Sequence, residues 1–401
     1  MNLKLRAALV ALALCVSLFR SAAEAEPLLD ADARSRVDAA VEQAIARHVT
    51  PGAAVVIGTA DRILFARGYG RLTYDETSPA ATLDTIYDLA SVSKAVGTAS
   101  ATMLLIQDGR LNLDDPVRGY IPAFDREDKR DVTVRHLLSH TSGLPAYTSA
   151  AKVEADRREG ESKADALIRC IVSLPLRHET GKGHVYACLN FITLARVNEE
   201  AAGRSQEEFL RERLFDPLGM NNTGYSLTED QKSRAAPTIG GRNYRQGTVH
   251  DPLAAYYSDT RHSGGNAGLF SSANDLARFC QMVLSNGRWG ERQVFTPQTI
   301  DLFATNAIPL RVRKVHGLGW ERYLFPPYAT RLNRGFAKAV LGHGGYTGTF
   351  VRLDRLAGTF VVVLTNRCYP DDNGSDWLVR RGVLKVVLET DPIYKDVLTL
   401  H

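Results

Sequence analysis

Two apolar hairpins stand near opposite ends of this 401-residue chain, and they constrain its fold more than any other feature. "GAAVVIGTADRILFARGYG" (Gly52–Gly70) reads as two strands joined at Thr59–Arg62. "TGTFVRLDRLAGTFVVVLTN" (Thr347–Asn366) reads as two more, turning around Leu356–Gly358. Each hairpin has a helix on its outer side. Asp30–Val49 sets Val37, Val41, Ile45 and Val49 at four-residue spacing, which is one apolar helix face. "DWLVRRGVLKVVLET" (Asp376–Thr390) reads as a closing helix. A helix–strand–strand unit and a strand–strand–helix unit bury their apolar faces most simply in one antiparallel sheet, with the end helices packed on it. The expected class is therefore α+β: an antiparallel sheet flanked by helices and built from both chain ends.

The middle of the chain has a different character. Ser91–Gln107 is helical by its Ala, Met and Leu content, with Gly109 as a stop. "LNFITLARVNEEAAG" (Leu189–Gly203), "SQEEFLRERLF" (Ser205–Phe215) and "SANDLARFCQMVLSNG" (Ser272–Gly287) also read as helices. Ser205 with Glu208 three residues later resembles a capping box. The expected organisation is an α/β part at about residues 26–81 and 288–401, with an inserted, mostly helical part at about 82–287. The polar stretch Ala151–Ala164 reads as a solvated loop or lid.

Composition narrows the function classes. Apolar residues are 44% and charged residues 23%, which suits a globular domain. The net charge is +4 and no Lys/Arg run occurs, so neither nucleic acid nor a polybasic membrane contact is expected. The first 25 residues have the form of an export signal: Lys4 and Arg6, then the apolar stretch Ala7–Phe19, then "AEA" at Ala23–Ala25. That stretch is too short to span a membrane as a helix. Cleavage after Ala25, a periplasmic or secreted location and no stable membrane insertion are the expectation. Cys15 lies inside the apolar core of the signal after Leu14, which argues against a lipoprotein. Cys170, Cys188, Cys280 and Cys368 then remain, few and scattered, and are expected to be buried free thiols. C-x-x-C and H-E-x-x-H are absent, and His136 and His140 read as satisfied polar histidines, so no metal or cofactor is expected.

Ser91-Val92-Ser93-Lys94 raises the chemical question. An alcohol needs an adjacent base to become a nucleophile, and residues three apart on a helix lie on one face. A lysine at that spacing can reach back to the serine, and acts as a base if it is neutral or shares its proton. A serine at a helix N-terminus also offers amide groups to a developing oxyanion. Ser149 and Lys152 repeat the spacing, however, so the four letters decide nothing. Ser91 opens a strongly apolar helix directly after "YDLA", whereas Ser149 precedes a polar stretch.

The company Ser91 keeps is more specific. "YDLASVSKAVGTA" is followed by "DGRLNLDDPVRGYIP" (Asp108–Pro122), "VTVRHLLSHTSGLP" (Val132–Pro145) and "LFDPLGMNNTGY" (Leu214–Tyr225). "VHDPLAA" (Val249–Ala255), "GGNAGLFSSANDLARF" (Gly264–Phe279) and "GHGGYTGTF" (Gly342–Phe350) complete the set. From Val49 to Asn366 the chain resembles the serine β-lactamase-like family, which includes class C β-lactamases, D-Ala-D-Ala peptidases and related esterases. The resemblance implies a β-lactamase/transpeptidase-like fold, with Ser91 acylated and Lys94 its proton partner. It implies that Tyr186 of "YACLN" accepts or relays the serine proton. It places His343 beside that cluster on an edge strand, supplying hydrogen bonding or charge. Gly345 would let substrate lie against the strand, and the Tyr346 N–H would join that of Ser91 as the oxyanion hole.

Two positions depart from the family pattern. Cys188 stands where an asparagine is usual, and a thiol is weak as both donor and acceptor. His343 replaces the lysine of the strongest β-lactamases, and histidine is mostly neutral near pH 7. Both changes favour a general esterase or peptidase acting on a small-molecule or peptide acyl substrate. The alternatives are a D-Ala-D-Ala carboxypeptidase or class C-like β-lactamase, and a penicillin-binding sensor that is acylated without turnover. No G-x-S-x-G occurs, which argues against an α/β-hydrolase.

Overall fold

The computed structural model describes residues 29–238, 246–304, 308, 316–321, 340–372, 378–392 and 394. The expected export signal and Asp376 and Trp377 of the closing helix lie outside these residues. Helix α1 (Ala31–Ala46) is capped by Asp30, whose side chain accepts from the Ala33 amide at 2.7 Å. Strands β1 (Gly52–Thr59) and β2 (Ile63–Gly70) follow, then the short β3 (Tyr87–Asp88). Helix α2 (Ser100–Gln107) continues the Ser91 segment, and Gly109 ends it with a φ of +69°. Helices α3 (Ala150–Ala155), α4 (Lys163–Ser173), α5 (Cys188–Ala202) and α6 (Pro252–Tyr257) make up much of the middle. Strand β4 (Phe270–Ser271), helix α7 (Ala273–Leu284), strands β5 (Val340–Gly344), β6 (Phe350–Asp354) and β7 (Thr359–Thr365), and helix α8 (Leu378–Thr390) complete the order.

One five-stranded sheet, in the order β2-β1-β7-β6-β5, joins the two ends of the chain. All its pairings are antiparallel, and β1 meets β7 from Ala53↔Thr365 to Thr59↔Thr359. Strand alternation divides the core in two. Ala53, Val55, Ile57, Val361 and Val363 face the end helices, against Val37 and Val41 of α1 and Val383 and Val387 of α8. Ala54, Val56, Val362 and Leu364 face the other way, into the larger core shared with the middle of the chain. Helix α7 packs on that second face against β1 and β7. Its residues fall in the part that the sequence assigns to the helical insertion, so packing and chain order diverge there.

Three local expectations change. Ala151–Ala164 is not wholly loop: Ala150–Ala155 is helical, with Ser149 as its N-cap. That explains the second Ser-x-x-Lys, because the Ser149 hydroxyl accepts from the Lys152 amide and the lysine side chain plays no part. The Ser91 segment is helical from Val92, but Lys94–Ala99 forms a π-helical stretch before α2 begins. The four cysteines of the described residues are free, with Cys280 and Cys368 buried and Cys170 and Cys188 half-buried.

Candidate active site

The site forms where edge strand β5 meets the turn that leads into the Ser91 helix. Leu89 is tied to the β4 side through its amide and the Leu269 carbonyl at 2.9 Å. Ala90 then takes a φ of +48°, a left-handed conformation that few non-glycine residues adopt. Amides of Val92, Ser93 and Lys94 close tight turns onto the carbonyls three residues back. The π stretch follows directly, and Ser100 Oγ donates to the Ala95 carbonyl five residues back. π-Helical turns recur at functional sites because they re-aim side chains that a regular helix would turn away.

Lys94 is fully buried. Its Nζ donates to Ser91 Oγ at 2.9 Å and to the Asn266 carbonyl at 2.7 Å. Tyr186 faces the same pair: Lys94 Nζ lies 5.1 Å from its ring centroid, and Ser91 and Lys94 both favour its charged form. The tyrosine is strapped in place from both sides in sequence: the Val185 amide donates to the His140 carbonyl at 3.0 Å, the Ala187 amide to His140 Nδ1 at 3.1 Å, and the Cys188 amide to the Ala146 carbonyl at 2.8 Å. Ser91, Lys94 and Tyr186 therefore meet in one cluster drawn from two distant parts of the sequence.

Burial and neighbouring charge decide between the two ways in which Lys94 could serve. Burial alone pushes the Lys94 ammonium down, but Cys188, Tyr186 and Asp251 outweigh it and hold its pKa above the usual lysine value. Lys94 is thus charged, not a neutral base. Burial pushes the Tyr186 phenol up against the pull of Lys94, so its resting form is the neutral phenol. His343, buried on β5, lies 6.2 Å from Tyr186 between ring centroids. Burial, then the charge of Lys94, push it down to about 3. Its Nδ1 must carry the hydrogen, because it faces the Gly344 carbonyl at 2.9 Å. His343 therefore supplies neither charge nor a free N–H, and its buried Nε2 has no partner among the described residues.

Gly345 also serves a different purpose from the one expected. A Cβ there would come within 2.4 Å of the Leu89 carbonyl and 3.1 Å of Ala90 Cβ. The missing side chain lets the end of β5 close against the turn before Ser91, so it is packed by protein. Tyr346 follows and is 55% exposed. The amides of Ser91 and Tyr346 donate to no group among the described residues, as an oxyanion hole requires. Cys188 opens α5 as its first residue, close enough to Lys94 to bias its charge. His136 is satisfied by Thr133, and His140 Nδ1 accepts from Ala187 and faces Asn190 Nδ2, but His140 Nε2 is buried without a partner. Among the described residues no three His, Cys, Asp or Glu side chains converge in a metal-binding arrangement.

A family model described as Beta-lactamase matches residues 37–385, nearly the whole described chain. The chain belongs to the β-lactamase family. Within it, this member is 29% identical to an N-acetylmuramyl-L-alanine amidase of Bacillus subtilis, over 83% of this chain and 80% of the relative. It is 28% identical to a putative D-alanyl-D-alanine carboxypeptidase of Escherichia coli K12, over 79% and 78% of the two chains. Its fold matches that of EstCE1, a hydrolase with promiscuous acyltransferase activity, at a TM-score of 0.72 and 23% identity, covering 88% of this chain and 98% of that one. The family is one of serine hydrolases, and the fold is the expected α+β one.

Sequence reasoning left three neighbours of this β-lactamase-family site without a role. Asn266 lies in the quoted "GGNAG", and its carbonyl anchors Lys94 while its Nδ2 donates to Asp251 Oδ1 at 3.0 Å. Asp88 and His250 lie in "YDLA" and "VHD" and meet each other beside Tyr346. Their presence in quoted motifs was the available signal; their contact was not readable from one chain.

Proposed function

We propose that this chain is an exported serine hydrolase that acts on an ester or amide carbonyl through an acyl-enzyme at Ser91. The carrying observation is Lys94 Nζ at 2.9 Å from Ser91 Oγ, with the Tyr186 ring beside them. Because Lys94 holds its proton, the phenol of Tyr186 is the member of the pair whose deprotonation Lys94 favours. Once Tyr186 has released its phenol proton to solvent, the phenolate takes the Ser91 proton as Oγ bonds to the carbonyl carbon. Negative charge on the carbonyl oxygen is received between the Ser91 and Tyr346 amides. As the tetrahedral species collapses, the bond to the leaving group breaks and Tyr186 returns the proton to it. Water then repeats the sequence on the acyl-enzyme and frees Ser91.

Ester substrates without a terminal carboxylate fit best, because neutral His343 has no N–H left to hold one. A cell-wall amide is the second reading, favoured by the two curated relatives, whose names specify muramyl-alanine and D-alanyl-D-alanine bonds. The deciding experiment treats the protein and its Ser91→Ala variant with a fluorophosphonate and a fluorescent penicillin, and follows p-nitrophenyl ester and nitrocefin hydrolysis. Ester turnover and fluorophosphonate labelling lost in Ser91→Ala are expected. Penicillin labelling with slow release would favour the cell-wall reading. Unchanged turnover in Ser91→Ala would remove Ser91 as the nucleophile. Export is tested separately, by the N-terminal sequence of the protein recovered from the cell envelope, expected to begin at Glu26.

A further inference from the structure

Asp88 is completely buried three residues ahead of Ser91, and the chemistry above makes no use of it. Its Oδ1 accepts from the Ala90 amide at 2.8 Å. Its Oδ2 accepts from the His250 amide at 2.8 Å and lies 3.0 Å from His250 Nδ1. Its main-chain carbonyl accepts from Thr347 Oγ1 at 2.8 Å, and the next carbonyl, of Leu89, from Thr349 Oγ1 at 2.8 Å. One residue thereby gathers three segments: the turn that presents Ser91, the turn that carries Tyr346, and the segment around His250. The first two carry the two unpaired amides. Ala90, between Asp88 and Ser91, is also the residue whose left-handed backbone most needs a restraint, and the Asp88 carboxylate supplies it.

His250 completes the arrangement. Its ring stacks on that of Tyr346 at 5.9 Å and within 6° of parallel. The Arg367 guanidinium sits 4.4 Å from the Tyr346 ring centroid, and the Tyr346 hydroxyl donates to Asp372 Oδ2 at 2.6 Å. Tyr346 is therefore fixed by His250, Arg367 and Asp372, and its backbone amide with it. We propose that Asp88 and His250 form a positioning pair: Asp88 sets the spacing of the two oxyanion amides, while the His250 imidazolium holds Asp88 and Tyr346 and places positive charge beside the oxyanion. Burial pushes the His250 imidazole down, Asp88 by charge and hydrogen bond together with Asp251 push it up, and Lys94 opposes them; the net direction is up. The pair is ready for this role because its Nδ1–H is directed at a carboxylate that the Ala90 and His250 amides also orient.

The inference rests on Ser91 as nucleophile, so the test includes Ser91→Ala beside His250→Asn, His250→Ala and Asp88→Asn. His250→Asn keeps a donor near the Nδ1 position and removes the charge, its titration and the ring that stacks on Tyr346. The readouts are kcat and KM for a p-nitrophenyl ester from about pH 5.5 to 9, with circular dichroism to show folding. His250→Asn is expected to lower kcat about tenfold near pH 6 with KM changed by less than about twofold. The ratio of wild-type to His250→Asn kcat should fall as pH rises through the His250 titration, towards the constant loss left by the missing ring, since the Lys94–Tyr186 titration is common to both and cancels. His250→Ala and Asp88→Asn, which also disrupt the tie itself, should lose about a hundredfold. A ratio that does not change with pH, or folded His250 variants with wild-type kcat, overturns the proposal. Full activity in Ser91→Ala would instead overturn the nucleophile assignment, whatever the His250 variants do.

Discussion

Lys94 holds its ammonium between Ser91 Oγ and the Asn266 carbonyl in a fully buried position. Lys94→Met keeps most of the side-chain volume and removes the charge, so the fold should survive while Tyr186 loses the cation that favours its phenolate. The expected result is a fall in ester kcat of about 10²–10⁴, with fluorophosphonate labelling of Ser91 slowed in parallel. Labelling at the wild-type rate would show that Lys94 is only a buried charge. Cys188 poses the opposite question, of what a residue fails to do. An asparagine there would offer a donor and an acceptor to a substrate amide, and one such hydrogen bond is worth about 1 kcal/mol. Cys188→Asn is expected to raise the ratio of amide to ester kcat/KM by about fivefold. An unchanged ratio on matched p-nitroanilide and p-nitrophenyl substrates would mean that Cys188 does not face the scissile amide.

The elements that build the site meet more tightly than their sequences announce. Gly345 lets the end of β5 approach the turn before Ser91, where a Cβ would sit 2.1 Å from Thr349 Oγ1 and 2.4 Å from the Leu89 carbonyl. Gly345→Ala is therefore expected to cost about 1–3 kcal/mol, read as a lower denaturant midpoint, and to lower kcat as the two amides move apart. An unshifted midpoint would mean the turn yields freely. This contact shows which parts of the molecule were legible. The hairpins and α1 could be read because alternation and four-residue spacing are local signals, carried by runs such as "AAVVI" and Val37–Val41. Ser91, Lys94, Tyr186 and His343 could be found through ordered motifs. The π stretch at Lys94–Ala99 could not, because it depends on tertiary partners such as Thr98 Oγ1 with the Gly265 carbonyl at 2.7 Å. The Ser149 cap was hidden by its likeness to the real motif. The protonation of Lys94 stayed open and that of His343 went no further than mostly neutral, because burial and neighbouring charge are properties of the fold and not of the residue.

At the scale of the whole molecule, several titratable groups are buried along the seam between sheet edge and helical middle. Burial pushes His316 down to about 4 and His343 down to about 3, and His140 well below the usual histidine value. In the unfolded chain each would bind a proton near pH 6.5. Below that pH the unfolded state holds more protons than the folded one, so acidification destabilises the fold until the folded values are reached. Each histidine contributes a slope of about 1.4 kcal/mol per pH unit within its window. Glu199 acts in the other direction. Its burial, partly offset by the Ser263 amide and the Tyr257 hydroxyl, raises it from 4.5 to about 8. The folded state keeps a proton that the unfolded chain has lost, so this contribution declines as pH rises from about 4.5 to about 8. His250, raised by Asp88, adds stability below its unfolded value and loses it as pH rises through its folded value. From about pH 4.5 to 6.5 the three depressed histidines outweigh Glu199, and above about 6.5 only Glu199 and His250 act. Urea midpoints measured from about pH 4.5 to 8.5 should therefore peak near pH 6.5. Glu199→Gln, which mimics the protonated carboxyl, should flatten the alkaline side and leave the acid side unchanged. A midpoint that stays level between about pH 4.5 and 6.5 would mean that these histidines reach water without unfolding, and that the seam beside Tyr186 opens on its own.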